Sequence, residues 1–397
     1  MDFATTPEQD QLIAMTRAFA RDVVAPAQRA MERDDSFPYD AWQKWSALGM
    51  AGILIPEEYG GAAQDPMSFF LCAEELAVVS QVFAQIWQIH CVVSHMYVEL
   101  GSAEQKREWL PRFARGEITP AFALTEPGAG SDAGGLTTSA TRQENGDWLI
   151  KGQKILISNA GTDISNGLIV MAVTSSREAK RKEISCFIVR RDTPGYTLGQ
   201  SFEKMAWHGM DNRELVFDDV LVPDSARLGP IGRGLSQALA TLTMARIGFA
   251  ILGVALTRAC LEESLSYAKT RKQFGRPIAD FQLIQAKLAD MATGLESARG
   301  LAHKAIWTLE QKMDANMIAS MAKLAGSRVA SRSAKDALQI HGGLGFSTEA
   351  RVNRLFREAQ VLEIGDGTTE IQQLIIARAL GCLSSTNLHA KDTMHAG

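Results

Sequence analysis

The amino-acid sequence predicts an α+β protein in which a central β-domain separates two helical domains. Apolar residues recur at helical spacing over residues 1–118, whereas residues 119–232 hold short β-rich runs punctuated by Gly, Pro, Asn and Asp. The helical period returns over residues 233–397. Because strands and helices are segregated rather than alternating, the pattern argues against a doubly wound sheet and favours an antiparallel barrel or sandwich in the middle.

Elements of the first two domains follow from local signals. The first helix is predicted to begin after Thr6-Pro7, and the apolar run from Phe69 to Leu100 predicts further helix. In the central domain, alternating apolar residues between turn signals predict strands over residues 148–157, 168–174, 184–189 and 214–222.

The third domain is predicted to be a bundle of helices. Apolar residues share one helix face from Leu235 onward, and the Ala-rich stretch 314–338 is expected to be a helix buried on more than one side. A last helix over Thr369–Leu380 is predicted to end at Gly381 as a C-terminal cap. The polar tail from Ser384 is expected to fray.

Composition excludes several classes of protein. The chain has 397 residues, 46% of them hydrophobic and 22% charged, which is ordinary for a globular protein and unlike a disordered or collagen-like one. Its formal net charge of −4 argues against a nucleic-acid-binding protein. The five scattered cysteines indicate free thiols in a reducing compartment, and the histidines lack metal-ligand spacing. We find no run of about 18 apolar residues and no signal-peptide core, so we expect no membrane span and a cytoplasmic location.

A glycine-rich segment, Ala121–Gly135 (AFALTEPGAGSDAGG), fits the dinucleotide-binding pattern G-x-G-x-x-A at Gly128, Gly130 and Ala133. A Rossmann glycine loop opens a long helix, whereas this segment leads into a strand-like region. We therefore interpret it as an irregular loop at a strand end. Either its backbone N–H groups cradle a phosphate or a flat polar ring, or it is a plain turn.

Two further segments are ambiguous on their chemistry alone. Arg271, Lys272 and Arg276 concentrate positive charge around a chain break at Gly275. Either they bind a phosphate, or their positive charge stabilises the dipole at the C-terminal end of the preceding helix. The glycine pair of QIHGGLGF (residues 339–346) either stops a helix or lets a ligand approach the backbone closely.

A carboxylate flanked by glycines precedes the last helix. Asp366 lies between Gly365 and Gly367, and Thr368 or Thr369 is expected to cap the helix that follows. Such an Asp is usually a turn residue. If the turn faces an apolar pocket, burial would raise the pKa of the carboxyl and make it a general base.

Five motifs carry a resemblance that covers nearly the whole chain: LTEPGAGSD, KGQKILISNAG, RKQFGRPIADFQLIQ, QIHGGLGF and IGDGTTEIQ. In this order and spacing, the chain resembles the acyl-CoA dehydrogenase family of flavoproteins. The resemblance implies a helical domain, a β-domain and a C-terminal four-helix bundle, with non-covalent FAD and a homotetramer. It also implies oxidation of an acyl-CoA thioester to a 2,3-enoyl-CoA. A carboxylate then takes the α-proton, a β-hydride passes to flavin N5, and an electron-transferring flavoprotein accepts the electrons.

The resemblance also implies roles for individual residues. Asp366 is the catalytic base, Ser131 and Arg246 contact the CoA substrate, and Gly365 and Gly367 adjoin the acyl group. Arg271, Gln273 and Phe274 are expected to reach the FAD of a neighbouring subunit. The complete set of implied FAD contacts is Phe122, Leu124, Thr125, Ser131, Leu156, Ile157, Ser158, Arg271, Gln273, Phe274, Gln339, Gly342, Gly343, Thr368 and Glu370.

Departures from the family pattern bear on the substrate. Most members carry Glu at the position of Asp366, straight-chain members often carry Tyr at that of Gly365, and the family's alternative position for the base holds Ala245 here. The shorter acid and the glycine imply a roomier pocket. We therefore expect a short branched or alicyclic acyl-CoA, such as cyclohexanecarboxyl-CoA. The alternatives are a straight short- or medium-chain acyl-CoA and a flavin oxidase of the nitroalkane type; Ser131 and Arg246 argue against the oxidase.

Overall fold

The computed structural model describes residues 4–176, 179 and 182–382, so the predicted frayed tail from Ser384 lies outside the described residues. Helices, a sheet and further helices follow one another in the predicted order. The first helical part consists of α1 (Pro7–Phe19), α2 (Ala25–Asp34), α3 (Tyr39–Ala47), α4 (Pro66–Val79), α5 (Gln81–Leu100) and α6 (Ala103–Ala114).

The first helix begins where the sequence predicts. The Thr6 side chain accepts a hydrogen bond from the Gln9 N–H, the Gln9 side chain accepts one from the Thr6 N–H, and proline occupies the first turn. A π-helical turn, Ala20–Val24, joins α1 to α2 without a break, and no pattern in the sequence indicates it. The apolar run predicted as helix is two helices, because Ser80 adopts an extended conformation (φ −144°) and caps α5.

The central part is an eight-stranded sheet with the order β6-β7-β3-β2-β4-β5-β8, in which β1 pairs with β4. Four of its strands, β3, β4, β5 and β7, are the predicted ones with ends that shift by at most three residues. The strands are β1 (Thr119–Ala123), β2 (Ser139–Arg142), β3 (Trp148–Ser158), β4 (Ser165–Val173), β5 (Ile184–Val189), β6 (Tyr196–Ser201), β7 (Asn212–Val222) and β8 (Arg227–Leu228).

Most strand pairs are antiparallel, as predicted, but β1 and β2 both run parallel to β4. Alternation of apolar residues defines a strand face and carries no information about the direction of its neighbour. The parallel register places Phe122 beside Ile169 and Ala123 beside Val170. The loop after β1 therefore leaves the sheet beside β4.

The last part is helical and contains one small hairpin. It consists of α7 (Gly234–Thr270), β9 (Lys272–Gln273), β10 (Arg276–Pro277), α8 (Gln282–Glu310), α9 (Asn316–His341), α10 (Gly343–Phe346), α11 (Arg351–Ile364) and α12 (Thr369–Ala379). The long helices α7 and α9 pack against each other, and α8 and α11 each pack against both of them. Where α7 crosses α9, a Cβ at Gly253 would come within 2.5 Å of the Gly326 backbone, so this close approach requires glycine. Gly381 follows α12 with φ +81°, which confirms the predicted cap.

Helix α7 is the central helix of the molecule. Among the described residues it is the one helix long and apolar enough to cross a membrane, but 67% of its apolar window is buried inside the protein. Helices α4 and α5 of the first part, as well as the neighbouring helices of the last part, pack against it. Its hydrophobicity is thus accounted for by a core shared between the two helical parts.

Candidate active site

The turn Gly365–Thr368 connects α11 to α12 and carries Asp366. Asp366 and Gly367 both adopt left-handed backbone conformations, with φ +50° and +89°, which Asp and Gly tolerate better than most residues. The Thr368 side chain accepts the Ile371 N–H at 3.4 Å, so Thr368 is the helix cap. The Gly367 carbonyl accepts hydrogen bonds from Gln372 Nε2 at 2.9 Å and from Lys323 Nζ.

Two cations face the Asp366 carboxyl. Burial raises the pKa of Asp366, while the positive charges of Lys323 and Arg246 act in the opposite direction. Arg246 on α7 is 4% exposed, and its Nη1 donates to Asn316 Oδ1 at 2.6 Å. Lys323 on α9 is fully buried, and burial lowers its pKa to about 8. A raised pKa makes Asp366 a stronger base than an exposed aspartate.

The space in front of Gly365 is filled by an aromatic ring. An ideal Cβ at Gly365 would lie 2.7 Å from Cε1 and Cζ of Phe249, a residue of α7 that is 3% exposed. The Phe249 ring also meets Trp207 at 5.8 Å, edge to face. The extra width that the sequence implies at Gly365 is therefore occupied, at least in part, by Phe249.

A second group of predicted residues meets at the ends of β1 and β3. The Thr125 carbonyl accepts the Ile155 N–H at 3.0 Å, which aligns residues 122–125 with residues 155–158. Leu156 has φ +58° and is 51% exposed, an unusual backbone conformation for a branched aliphatic residue and one that clusters at binding sites. The structure thus brings together Phe122, Leu124, Thr125, Leu156, Ile157 and Ser158.

A buried ion pair that sequence reasoning missed closes the glycine-rich loop. Glu126 accepts hydrogen bonds from the Thr137 N–H and hydroxyl, at 2.6 and 2.8 Å, and from the Thr138 N–H at 2.9 Å. Lys154 Nζ donates to the same carboxylate and to the Leu124 carbonyl, each at 2.9 Å, and the lysine is fully buried. These contacts hold the pKa of Glu126 down, at about 2. The alternation of the strand could have indicated this pair, because it places Lys154 on the inward face of β3 with Trp148 and Ile150, where a lysine needs an acidic partner.

The basic segment after α7 is a hairpin. Phe274 and Gly275, with φ +52° and +82°, form the two-residue turn between β9 and β10. Arg271 and Gln273 on this hairpin are exposed. At its base, Tyr267 stacks on His341 with ring centroids 4.3 Å apart.

That stacking brings the hairpin next to the end of α9. There Gln339, Gly342 and Gly343 are exposed, and a Cβ on either glycine would meet nothing within 4 Å. No hydrogen bond or ion pair within the described ranges connects this region to the β1–β3 ends. Within one subunit, most of the predicted cofactor residues therefore lie in two separate regions. Ser131, exposed in the glycine-rich loop, lies with the first, and Thr368 and Glu370 at the start of α12 belong to neither.

The residues at the sheet edge fit a flavin. The backbone around Gly128 and Gly130 is open, because a Cβ on either residue would have no neighbour within 4 Å. In the described part of the chain, the N–H groups of Gly130 and Ser131 donate no hydrogen bond, so they are available to an anionic group. The half-exposed Leu156 supplies an apolar surface beside them. A ligand with both a flat ring system and a phosphate suits this combination.

The chain is similar to proteins of one family throughout its length. Acyl-CoA dehydrogenase N-terminal, middle and C-terminal domain families match residues 6–117, 121–220 and 232–381. An acyl-CoA dehydrogenase of Bacillus subtilis is 42% identical over 376 residues, 94% of this chain and 98% of the relative. The caffeyl-CoA reductase-Etf complex subunit CarC of Acetobacterium woodii is 36% identical over 94% of this chain and 98% of its own length.

The fold points to the same family. The solved structure of butyryl-CoA dehydrogenase from Megasphaera elsdenii superposes with a TM-score of 0.91 at 35% identity, covering 96% of this chain and all of the other. Both the sequence resemblance and the order of helical, sheet and helical domains are thereby confirmed. The chain belongs to the acyl-CoA dehydrogenase family, whose members are FAD-dependent oxidoreductases that act on CH–CH bonds.

Proposed function

We propose that Asp366 is the base that removes the α-proton of an acyl-CoA thioester. The observation that carries this proposal is the half-buried Asp366 on the glycine-flanked turn, whose carboxyl interacts with the positive charges of Lys323 and Arg246. Burial makes the carboxylate a stronger base, and the two cations keep it ionised so that it can accept a proton. The other position at which family members carry the base is Ala245 in this chain, so no alternative carboxylate is present there.

The thioester carbonyl acidifies the adjacent C–H bond, and Asp366 takes that proton to become a neutral carboxylic acid. FAD, when bound, supplies the acceptor for the hydride that leaves the β-carbon. Substrate and FAD, once bound, would exclude water from this partly exposed turn and so strengthen the interactions of Asp366 with its charged neighbours. Reopening the site to solvent would let the carboxyl return its proton.

The FAD would be held by both regions described above. The open glycine-rich loop with Ser131 and the facing residues 122–125 and 156–158 suit the flavin half. The exposed hairpin residues Arg271, Gln273 and Phe274, with Gln339, Gly342 and Gly343, suit a diphosphate and adenosine. Since the two regions lie apart in one subunit, the second would serve a neighbouring subunit's FAD. Thr368 and Glu370 would contact FAD at the start of α12.

Association of subunits is supported by three exposed apolar side chains around the same region. Phe274 is 93% exposed, Phe346 86% and Leu283 82%. Large apolar side chains exposed near one another mark contact surfaces, whereas single ones do not. We infer a homotetramer that works in the cytoplasm, and an electron-transferring flavoprotein as electron acceptor, because the relative CarC is named as a subunit of an Etf complex.

Two substrate classes have support. The short Asp366 and the absence of a side chain at Gly365 favour a branched or alicyclic short acyl group. The ring of Phe249 in front of Gly365, together with the likeness to a butyryl-CoA dehydrogenase, favours a straight short chain instead. Turnover of a panel containing cyclohexanecarboxyl-CoA, isobutyryl-CoA and butyryl-CoA, with an artificial electron acceptor, separates the two.

The base assignment has its own experiment. Asp366→Asn is expected to slow bleaching of the bound flavin by substrate about 10²–10⁴-fold while the protein keeps its yellow cofactor. Asp40→Asn, an exposed aspartate paired with Lys44, serves as the control and should leave the rate unchanged. Full activity of the Asp366→Asn enzyme would refute the proposed role.

A further inference from the structure

The side chain of Lys323 is buried without a carboxylate in contact. It extends from α9 with no exposed surface, and its Nζ donates to the Gly367 carbonyl, in the turn that carries Asp366. Its ammonium group lies 5.7 Å from the centre of the Phe249 ring. In the described part of the chain, no acid lies within 4.0 Å of this lysine. Burying an ammonium group in this way is costly, so a functional reason for keeping it is expected.

Lys323 interacts electrostatically with the proposed base and with the charged groups around it. From the turn, Asp366 stabilises the charged lysine more than any other acid does, and Arg246 on α7 opposes it. Glu363 on α11 and Glu370 on α12 act more weakly in the same direction as Asp366. Arg246 is already engaged with Asn316, whereas Lys323 is bonded to the backbone of the turn itself.

We propose that Lys323 is a positioning residue for the base, which fixes the Gly365–Thr368 turn through the Gly367 carbonyl and keeps the Asp366 carboxylate ionised for proton abstraction. This inference rests on the proposed role of Asp366. The hydrogen bond controls where the carboxylate points, because the carbonyl belongs to the residue next to the base. The charge controls its protonation, because a nearby cation favours the carboxylate anion.

The same carbonyl offers a matched control. Gln372 Nε2 donates to the Gly367 carbonyl at 2.9 Å and to the Asp366 carbonyl at 3.3 Å, and Gln372 is fully buried like Lys323. Gln372→Met therefore removes a neutral donor from the turn, whereas Lys323→Met removes a donor and a charge. Lys323→Arg keeps the charge. Methionine has nearly the length of lysine and no charge to desolvate, and Lys323, unlike Lys154, has no carboxylate in direct contact, so Lys323→Met is expected to fold.

The first measurement is the rate of flavin reduction by substrate as a function of pH. In Lys323→Met the acid limb of the profile should move up by about one pH unit or more, since an opposite charge nearby lowers a carboxyl pKa by that amount. In Lys323→Arg the acid limb of the pH profile should return toward its wild-type position. Gln372→Met should lower the rate of flavin reduction at every pH without shifting the acid limb.

The second measurement needs no turnover. The infrared carbonyl stretch of the protonated Asp366 carboxyl, identified by its loss in Asp366→Asn, is titrated in the resting holoenzyme. Its midpoint should rise in Lys323→Met and stay in place in Gln372→Met. Unchanged midpoints in Lys323→Met, or equal shifts in both variants, would overturn the inference. Full activity of Asp366→Asn would instead defeat the underlying assignment of the base.

Discussion

The Phe249 ring fills the space that a side chain on Gly365 would need: a Cβ on residue 365 would lie 2.7 Å from two atoms of the ring. The backbone at Gly365 has φ −66° and ψ 155°, a conformation open to every L-amino acid. Glycine is therefore required here by the neighbouring ring and not by the turn. The two residues belong to α7 and to the end of α11, so one choice of side chain on each helix determines the shape of the space between them.

A substitution at this pair should show strong coupling. Gly365→Tyr alone is expected to clash with Phe249 and to lower both the melting temperature and the turnover of every acyl-CoA. Phe249→Ala alone should cost about 3–5 kcal/mol of stability, because it empties a buried site. The double variant exchanges one ring for the other, so its losses should be well below the sum of the single losses. The measurement is a double-mutant cycle on melting temperature and on kcat/KM for butyryl-CoA and cyclohexanecarboxyl-CoA; additive losses would contradict the packing argument.

Local patterns predicted more of the fold than of the site. Helix caps such as Thr6 and Thr368 depend on residues three positions apart, so the sequence indicates them directly. Contacts such as Lys323 to Gly367 join residues 44 positions apart, and no periodicity encodes which distant carbonyl a lysine meets. The role of Asp366 was predicted from its glycine neighbours and from family resemblance, whereas the cations that face it emerged only from the packing of α7 and α9.

The buried ion pair of Lys154 and Glu126 should be important for stability, whereas the exposed ion pair of Lys151 on the same strand should not. Lys154→Met leaves a buried carboxylate without its cation, a change that typically costs about 3–5 kcal/mol. Lys151, three residues earlier, is 63% exposed and lies 3.5 Å from Asp219. Lys151→Met should change stability by at most about 0.5 kcal/mol. Urea unfolding of both variants checks this, and similar losses would show that burial of the pair is irrelevant.

The same carboxylate should make the protein sensitive to acid. Glu126 has a pKa of about 2 in the folded protein, lower than in an unfolded chain, so the unfolded state binds more protons between these values. Its contribution to stability is complete above about pH 4.5 and is lost as the pH falls toward 2. In Glu126→Gln, the free energy of unfolding should decline less steeply over that pH range than in the wild type. An unaltered slope would mean that other carboxylates cause the acid sensitivity.

Phe274 allows the proposed subunit contact to be tested without damage to the hairpin. Because residue 274 has φ +52° and precedes Gly275, Phe274→Asn creates the Asn-Gly pair that two-residue hairpin turns favour. The turn should therefore persist while a 93% exposed ring is removed. Each ring buried in a contact contributes about 1.5–3 kcal/mol, so sedimentation should show smaller assemblies at low concentration. FAD should dissociate more readily as well, because Arg271 and Gln273 on this hairpin would no longer reach the neighbouring subunit. Leu48→Asn, at an exposed residue of the first helical part, is the control; equal dissociation in both variants, or none in Phe274→Asn, would place the subunit contact elsewhere.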